Sequence, residues 1–414
     1  MKEHIEPLTV APPASVRGRT LLVVIIGALS AFGPLSIDMY LPALPSLPQE
    51  LDGTASQAQL TLTACLLGLA VGQVIAGPLS DRMGRRRPLL AGLVAYVLAS
   101  LLCALAPTLP ALIAVRLLQG LAGAAGVVIA RAVVRDLFSG PDIARFFALT
   151  MLVNGLAPIL APIIGGQLLT FTSWRGVFVL LTGIGAGLLL LVALGLRESL
   201  PVEQRRTGGI AETLATFRAL LGDRRFLGCA LASGLAFAAM FAYISGSPFV
   251  LQGIYGVSPQ TYSFIFGANA LGIVVASQIS GRLAGRVNPQ KLLLFGLGYA
   301  VVGGLLLLGV VLAGVGLAGV LLGLFVVVSS IGLISPNATA LAMAEHRQTA
   351  GSASALLGVL LYIAGALVAP LVGVAGTDTA LPMALIMAIL PLAALFTFLL
   401  LTRRTESAGS EIDL

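Results

Sequence analysis

Long apolar segments recur along the whole chain, and short charged stretches separate them. A helix needs roughly 20 apolar residues to cross a hydrocarbon core of about 30 Å. Twelve segments of that kind are predicted, at residues 21–43, 57–79, 88–106, 110–132, 146–170, 176–196, 226–249, 261–281, 291–312, 316–337, 351–374 and 380–402. The runs are continuous and do not alternate with polar residues, so they favour spanning helices over a β-barrel.

The composition agrees with an all-α membrane protein. Of 414 residues, 58% are hydrophobic and 10% are charged, whereas soluble domains average about 25% charged residues. The net charge of +7 does not indicate a nucleic-acid partner, because the basic residues lie between the apolar segments. Three cysteines inside apolar segments and two distant histidines predict neither a disulfide nor a metal site.

Basic residues predict the topology. Of 24 Lys and Arg, 22 lie in the termini and the even-numbered connections, while Arg175 lies on the opposite side and Arg116 inside the fourth segment. Positive residues concentrate on the cytoplasmic side of membrane proteins, so both termini are predicted to be cytoplasmic. The segments connected without intervening charge are expected to turn at Gly314–Gly316 and at Pro107–Pro110.

The longest connection divides the chain into two six-helix halves. The predicted organisation is a cytoplasmic tail (1–20), a first half (21–196), a cytoplasmic linker (197–225), a second half (226–402) and a cytoplasmic tail (403–414). Gly, Leu, Arg and a further basic residue recur between Gly77–Leu89 and Gly281–Leu293 at a constant offset of 204, although Gly285 stands where Asp81 stands. Parallel repeats of this kind place a substrate site between the halves.

Several motifs carry a family resemblance. Gly77–Leu89 is similar to the cytoplasmic loop signature of the major facilitator superfamily, and Arg116–Gly120 resembles the span-four signature of its proton-coupled members. Ala157–Gly166 resembles the span-five signature of exporters, with Ala161 in place of a usual glycine. Four further segments resemble the Bcr/CflA group of drug/proton antiporters: Ile37–Pro45, Tyr243–Phe249, Ser335–Ala338 and Ala350–Ala355.

Only two charges, Asp38 and Arg116, lie deep within spans, and such residues mark ion or substrate pathways. Burial in an apolar site favours the protonated form of an acid, so Asp38 is the candidate proton carrier; an acid in span one is also what the resemblance implies. Arg116, with Gln119 one turn away, is predicted to tune Asp38 or to hydrogen-bond around the cavity. The alternative is that Asp38 or Arg116 serves only a structural role.

The resemblance also implies a gate at the cytoplasmic side, formed by Gly77, Asp81, Arg82, Gly84, Arg85 and Asp136. Asp81 would lie near a helix N-terminus of the other half, and Arg85 would pair with Asp136. A solvated positive loop is the alternative. Small residues and prolines in span five allow close helix contact or bends: Gly155, Pro158, Pro162, Gly165 and Gly166.

Candidates for the lining of a substrate cavity are polar or aromatic residues within spans: Asp38, Tyr40, Gln119, Asn154, Phe241, Tyr262, Asn269 and Asn337. Each is weak on its own, and core placement is the alternative, above all for phenylalanine.

The resemblance implies an exporter of small amphipathic drugs, of chloramphenicol, bicyclomycin or sulfonamide type, in the bacterial inner membrane. Nothing in the sequence demands an oligomer, so a monomer is expected. Enzyme motifs and nucleotide-binding loops are absent from the sequence, so no cofactor is expected and the driving force is predicted to be the proton gradient. A proton-coupled metabolite importer is the first alternative. A polytopic receptor or intramembrane enzyme is the second.

Overall fold

The computed structural model describes residues 16–138, 141–205, 210–344, 346, 349–374, 376 and 378–409. These residues form fifteen α-helices: α1 Val16–Ser30, α2 Phe32–Asp38, α3 Leu47–Glu50, α4 Ala55–Met83, α5 Arg86–Ala104, α6 Leu109–Leu137, α7 Pro141–Leu168, α8 Trp174–Gly195, α9 Ile210–Gly222, α10 Arg224–Pro248, α11 Pro259–Leu283, α12 Pro289–Ala313, α13 Leu317–Ala344, α14 Ala350–Val368 and α15 Leu381–Gly409.

Ten of the described helices are long and apolar enough to cross a membrane. The count rises to eleven when the bent pair Leu21–Ser30 and Phe32–Glu50 is taken as one span, and α7 adds a shorter apolar stretch, Gly155–Leu168. The protein is therefore an all-helical, multi-pass membrane protein. A twelve-span count stays a prediction.

The first span is broken, although the sequence predicted it to be continuous. It bends by 43° between α1 and α2. Pro34 has no N–H for the carbonyl of Ser30, and Pro42 has none for the carbonyl of Asp38, so the regular hydrogen-bond ladder is interrupted at both places. The two prolines leave α2 as a short helix that ends at Asp38, followed by the 3₁₀ segment Leu41–Ser46.

The predicted turn in the uncharged stretch of the second half is confirmed. The helix α12 ends at Ala313 and α13 begins at Leu317. Gly314 has a φ of +63° and Gly316 a φ of +93°, a left-handed conformation that glycine adopts without strain. The predicted linker holds a helix of its own, α9, which the sequence analysis did not anticipate.

The bundle has two ends. The linker end carries residues 84–85, 196–205, 210–223 and 284–288, and the far end carries residues 51–54, 105–108, 169–173 and 314–316. The sequence analysis predicts that the linker end is cytoplasmic.

The repeat offset of 204 relates two glycines at helix crossings. A Cβ on Gly68 of α4 would lie 2.2 Å from the carbonyl oxygen of Leu117 on α6, and a Cβ on Gly272 of α11 would lie 2.9 Å from the ring of Phe325 on α13. Both positions therefore need the absence of a side chain so that neighbouring helices approach closely. The same packing device serves each half of the chain.

Candidate functional site

Asp38 lies at the end of α2, in the wall of a cavity between the two halves. The side chain is buried, with 6% of the residue exposed. The cavity measures about 220 Å³, and Asp38 is the only charged residue among the described residues that line it. Most of the wall comes from the second half, and half of the residues that this half contributes are aromatic: Phe237, Phe241, Tyr243, Phe266 and Tyr362. Asp38 thus presents one carboxyl group to an apolar chamber.

Arg116 lies outside that cavity, in a polar network of the first half. Its Nη1 donates to the carbonyl of Ser36, at 2.9 Å, and to Oε1 of Gln119, at 2.5 Å. The guanidinium also lies 5.0 Å from the centre of the Tyr40 ring and 5.6 Å from that of Phe178, within the range of a cation–π interaction.

The network continues from this arginine to α5. Gln119 donates to the hydroxyl of Ser100 at 2.8 Å, and the hydroxyls of Ser36 and Tyr96 lie 2.7 Å apart. The structure contains no ion pair between Arg116 and Asp38 among the described residues, so Arg116 does not act here as a counter-ion. It binds the carbonyl two residues before Asp38 and thereby fixes the last turn of α2.

The predicted cavity residues divide into two layers. Asp38 and Phe241 line the cavity, whereas Tyr262 and Asn269 are buried behind its wall. Asn269 donates to the hydroxyl of Tyr243 at 3.0 Å and so orients a ring that does line it. These positions come together because side chains of α10 and α11 meet at the chamber, as Tyr243 and Asn269 do.

The other predicted cavity residues do not reach the chamber. The hydroxyl of Tyr40 forms a hydrogen bond with that of Thr61, and Gln119 accepts a hydrogen bond from Arg116. Asn337 donates to the hydroxyl of Ser280 at 2.7 Å. The side chain of Asn154 lies outside the described part of the chain. The sequence analysis missed Met240, Phe266 and Tyr362 as lining residues. Spacing of four and seven residues along α10, from Phe237 to Phe241 and Ile244, is the signal that could have indicated this face.

Hydrogen bonds join the two halves toward the far end. The side-chain amide of Gln59 donates to the carbonyl of Ser245 at 3.1 Å. The hydroxyl of Thr63 donates to the carbonyl of Ala366 at 3.0 Å. Two further glutamine amides make the same kind of contact, Gln252 to the carbonyl of Pro42 at 3.2 Å and Gln260 to that of Gly166 at 2.9 Å. We call these four contacts the far-end seal.

At the linker end the halves stand apart. A cavity of about 750 Å³ lies there, lined by both charged and apolar residues, between α4 and α6 of the first half and α9, α13 and α14 of the second part of the chain. Its wall includes Gln73, Asp81, Arg85, Arg131, Arg135 and Asp136. The structure is therefore closed toward the far end and open toward the linker end.

Arg85 holds together the acidic residues at the linker end. Its guanidinium pairs with Asp136 at 2.8 Å and with Asp81 at 2.5 Å, so the Arg85–Asp136 pair that the resemblance implies is present. Burial opposes the charge of Arg85, but the bonds to Asp136 and Asp81 outweigh that cost and raise the pKa of the guanidinium above its ordinary value. Glu198 accepts the backbone N–H of Arg85 at 2.7 Å.

Among the described residues, Asp81 pairs with Arg85 of its own half. Its contact with a helix N-terminus of the other half, which the resemblance implies, stays a prediction. Gly84 has a φ of +89°, and a Cβ there would lie 2.5 Å from the Glu198 carboxylate, so a glycine is required for that turn. Gly77 lines the linker-end cavity, and Arg82 is exposed.

We expect Arg85→Gln to destabilise the linker end, because two carboxylates lose a charged donor. Hydrogen bonds to charged groups contribute about 1.5–3 kcal/mol each, so the midpoint of thermal unfolding in detergent should fall clearly. Arg87→Gln, at an exposed position of the same basic run, is the matched control and should leave the midpoint unchanged. Equal midpoints for the two variants would show that the cluster adds no stability.

The small residues of span five line close contacts on both sides of α7. A Cβ on Gly165 would lie 1.7 Å from the carbonyl oxygen of Met39, and one on Gly166 would lie 2.2 Å from the Ser263 hydroxyl in the second half. Gly155 faces Val274 at 3.3 Å by the same measure, and Pro158 lines the Asp38 cavity. Pro162 lies within α7 between these contacts.

A helical bundle with an acidic cavity between two halves, sealed at one end, is the architecture of a secondary transporter. The Major Facilitator Superfamily profile matches residues 25–370, and the chain belongs to that superfamily. It is a multi-pass bacterial membrane transporter related to drug-resistance proteins, and it is not an enzyme.

Three comparisons support this placement. The chain is 43% identical to an uncharacterised MFS-type transporter, YdgK, of Bacillus subtilis (strain 168), over 95% of this chain and 98% of that protein. It is 31% identical to a bicyclomycin resistance protein homologue of Haemophilus influenzae, over 94% and 98% of the two chains. A crystal structure of a bacterial homologue of the human lysosomal transporter Spinster, inward-facing and unoccupied, superposes with a TM-score of 0.73 at 14% identity, over 94% and 98% of the two chains.

Proposed function

We propose that this protein exports small amphipathic drugs from the cytoplasm in exchange for protons, by alternating access in the bacterial inner membrane. The proposal takes the chain as a monomer with twelve spans in two halves and both termini cytoplasmic. In that topology the linker end faces the cytoplasm, and the conformation described above is inward-facing. The observation that carries the proposal is Asp38, a buried acid in the apolar cavity between the halves.

Asp38 fits the role of proton carrier because its charged form has a much higher free energy in the apolar cavity than its neutral form. A carboxylate in an apolar cavity is costly unless an opposite charge or a hydrogen-bond donor compensates it. Arg116 is directed to Ser36 and Gln119, not to Asp38. A proton is therefore the simplest way to neutralise Asp38, and a drug bound in the same chamber competes with that proton for space and for the carboxyl oxygens.

The exchange follows from the two ends. With the far-end seal intact, drug enters from the linker-end cavity and displaces the proton into the cytoplasm. When the halves rock, the seal opens, drug leaves and the outer proton reloads Asp38. Arg116 is a positioning residue in this cycle, because it holds the turn that bears Asp38. The Arg85 cluster and the span-five contacts set the balance between the two conformations.

The relatives' names favour export over import. A bicyclomycin resistance homologue aligns over nearly its whole length, and resistance is the phenotype that export of an antibiotic produces. The cavity wall is aromatic and apolar, which suits amphipathic drugs better than a polar metabolite.

The test is proton release when drug binds. Purified protein in detergent, weakly buffered near neutral pH, is titrated with a panel of chloramphenicol-like and bicyclomycin-like compounds. We expect wild type to acidify the medium by up to one proton per protein, and Asp38→Asn to release none while still binding drug. Binding without proton release in wild type would contradict proton coupling. Release that persists in Asp38→Asn would assign the proton to another group.

A further inference from the structure

Three helices place four residues at the boundary between the linker-end cavity and the Asp38 cavity. They are Gly33 and Pro34 of α2, Phe237 of α10 and Tyr362 of α14. We call this set the mouth. Nothing in the exchange of drug and proton at Asp38 assigns these residues a task.

The order of residues along α14 locates the mouth. Gly351 and Ala355 line the linker-end cavity, and a Cβ on Gly358 would lie 3.1 Å from the amide oxygen of Gln73, which lines the same cavity. Tyr362 follows one helical turn later and lines the Asp38 cavity. One further turn on, the carbonyl of Ala366 belongs to the far-end seal. Tyr362 is thus the first α14 residue beyond the linker-end cavity.

The other two helices give the same order. On α2, Gly33 and Pro34 precede Asp38 by about one turn on the linker side. On α10, Phe237 precedes Phe241 and Ile244 of the cavity wall, and Ser245 of the seal follows them. A molecule that moves from the linker-end cavity to Asp38 therefore passes between α2 of the first half and the two aromatic rings of the second.

The mouth is bounded on one side by a glycine. A Cβ on Gly33 would lie 3.9 Å from the Tyr362 hydroxyl, so the bare backbone of α2 leaves a narrow gap beside that hydroxyl. The ring of Tyr362 meets that of Phe237 edge to face, with 6.2 Å between centres, and Phe237 lies 5.0 Å from Phe241. Among the described residues the Tyr362 hydroxyl has no hydrogen-bond partner and the ring is held by packing, so a rotation of the side chain can move it aside.

We propose that Tyr362 is a specificity-determining residue, whose ring narrows the mouth opposite Gly33 and sets the largest cross-section that reaches Asp38. The claim that Tyr362 selects the drug rests on the proposed function. The claim that Tyr362 limits access to the Asp38 cavity does not depend on that function. The ligands admitted are compact amphipathic molecules whose widest rigid part is about one aromatic ring, since the passage is formed by ring faces and a bare backbone.

Access is tested without transport by a reporter cysteine. Val328 lines the Asp38 cavity and is 1% exposed, and the three native cysteines are buried and can be replaced. In purified, detergent-solubilised protein, Val328→Cys is labelled with thiosulfonate reagents of increasing ring size. Tyr362→Ala should raise the labelling rate of the bulkiest reagent at least tenfold and barely change that of the smallest. Tyr362→Trp should slow the bulky reagents further.

Two controls separate the mouth from a general loosening of the fold. Tyr362→Phe keeps the ring and should behave as wild type. Ser352→Cys, in the linker-end cavity before the mouth, should be labelled at one rate whatever residue occupies 362. The proposal is overturned if the labelling rate of Val328→Cys does not depend on the size of the side chain at position 362. It is also overturned if the rates of both reporter cysteines change equally.

Transport gives the link to function. In proteoliposomes, the largest exported member of a homologous drug series should shift upward for Tyr362→Ala and downward for Tyr362→Trp. If labelling shifts but no compound is transported, the mouth stands and drug export fails. If transport is present but its size limit ignores residue 362, the mouth does not select the drug, and Tyr362 loses the role proposed.

Discussion

Asp38→Asn should abolish uphill drug export while leaving a folded, drug-binding protein. Asparagine keeps the size and hydrogen-bonding capacity of the side chain but cannot exchange a proton, and the cavity offers no other acid among the described residues. In proteoliposomes with an imposed pH gradient, accumulation of drug should fall at least a hundredfold, to the level of empty vesicles. Facilitated equilibration of drug without a gradient should persist, because binding and rocking do not need the proton.

The same change at another carboxylate is the matched control. Asp52 lies at the far end, exposed, with a φ of +49° that asparagine also tolerates. Asp52→Asn removes one negative charge from the protein but none from the cavity, so it should transport as wild type. Gradient-driven accumulation that survives in Asp38→Asn would remove Asp38 from the mechanism.

The spans could be predicted because their physics is local. About 20 apolar residues cross a bilayer whatever their neighbours, and the turn at Gly314–Gly316 needs only glycines that accept a positive φ. The break in span one also has a local cause, Pro34 and Pro42, although the sequence analysis predicted a continuous span. The apolar run continues through both prolines, so hydropathy alone does not register the lost hydrogen bonds.

The partners of charged residues could not be predicted, because they depend on how helices cross. Asp38 was identified from its cost in an apolar span. That Arg116 turns away from Asp38, toward the carbonyl of Ser36 and toward Gln119, follows from the approach of α6 to α2. Asp81 bonds Arg85 in this conformation, and a sequence does not state which conformation is populated.

The aromatic mouth was invisible for a related reason. Tyr362 is one aromatic residue within a long apolar run, and nothing in that run distinguishes a cavity face from a lipid face. Its position becomes meaningful only in the folded bundle, where Tyr362 and Gly33 of the other half line the same cavity. Phe237, which lines the same cavity, is hidden in the sequence for the same reason.

Gly165→Ala should be the most damaging of the small substitutions, because it meets backbone and not a movable side chain. The added Cβ would lie 1.7 Å from the Met39 carbonyl oxygen and 2.8 Å from its carbon. Met39 directly follows Asp38, so relief of the clash must push α7 away or move the turn that bears the carrier. Overpacking of a well-packed site costs about 1–3 kcal/mol, occasionally more, and a fixed backbone contact lies at the upper end.

A graded series of glycine variants tests this in detergent and in vesicles. Gly187→Ala, on α8 with nothing within 4 Å of the new Cβ, should unfold at the wild-type temperature or slightly above, since alanine favours helix. In Gly155→Ala the added Cβ would lie 3.3 Å from a methyl of Val274, so the unfolding temperature should fall slightly. Gly165→Ala should unfold well below both and lose drug-induced proton release. Should it match Gly187→Ala in both measurements, the α7 contact beside Asp38 is looser than the structure has it, and the carrier is not held in place from that side.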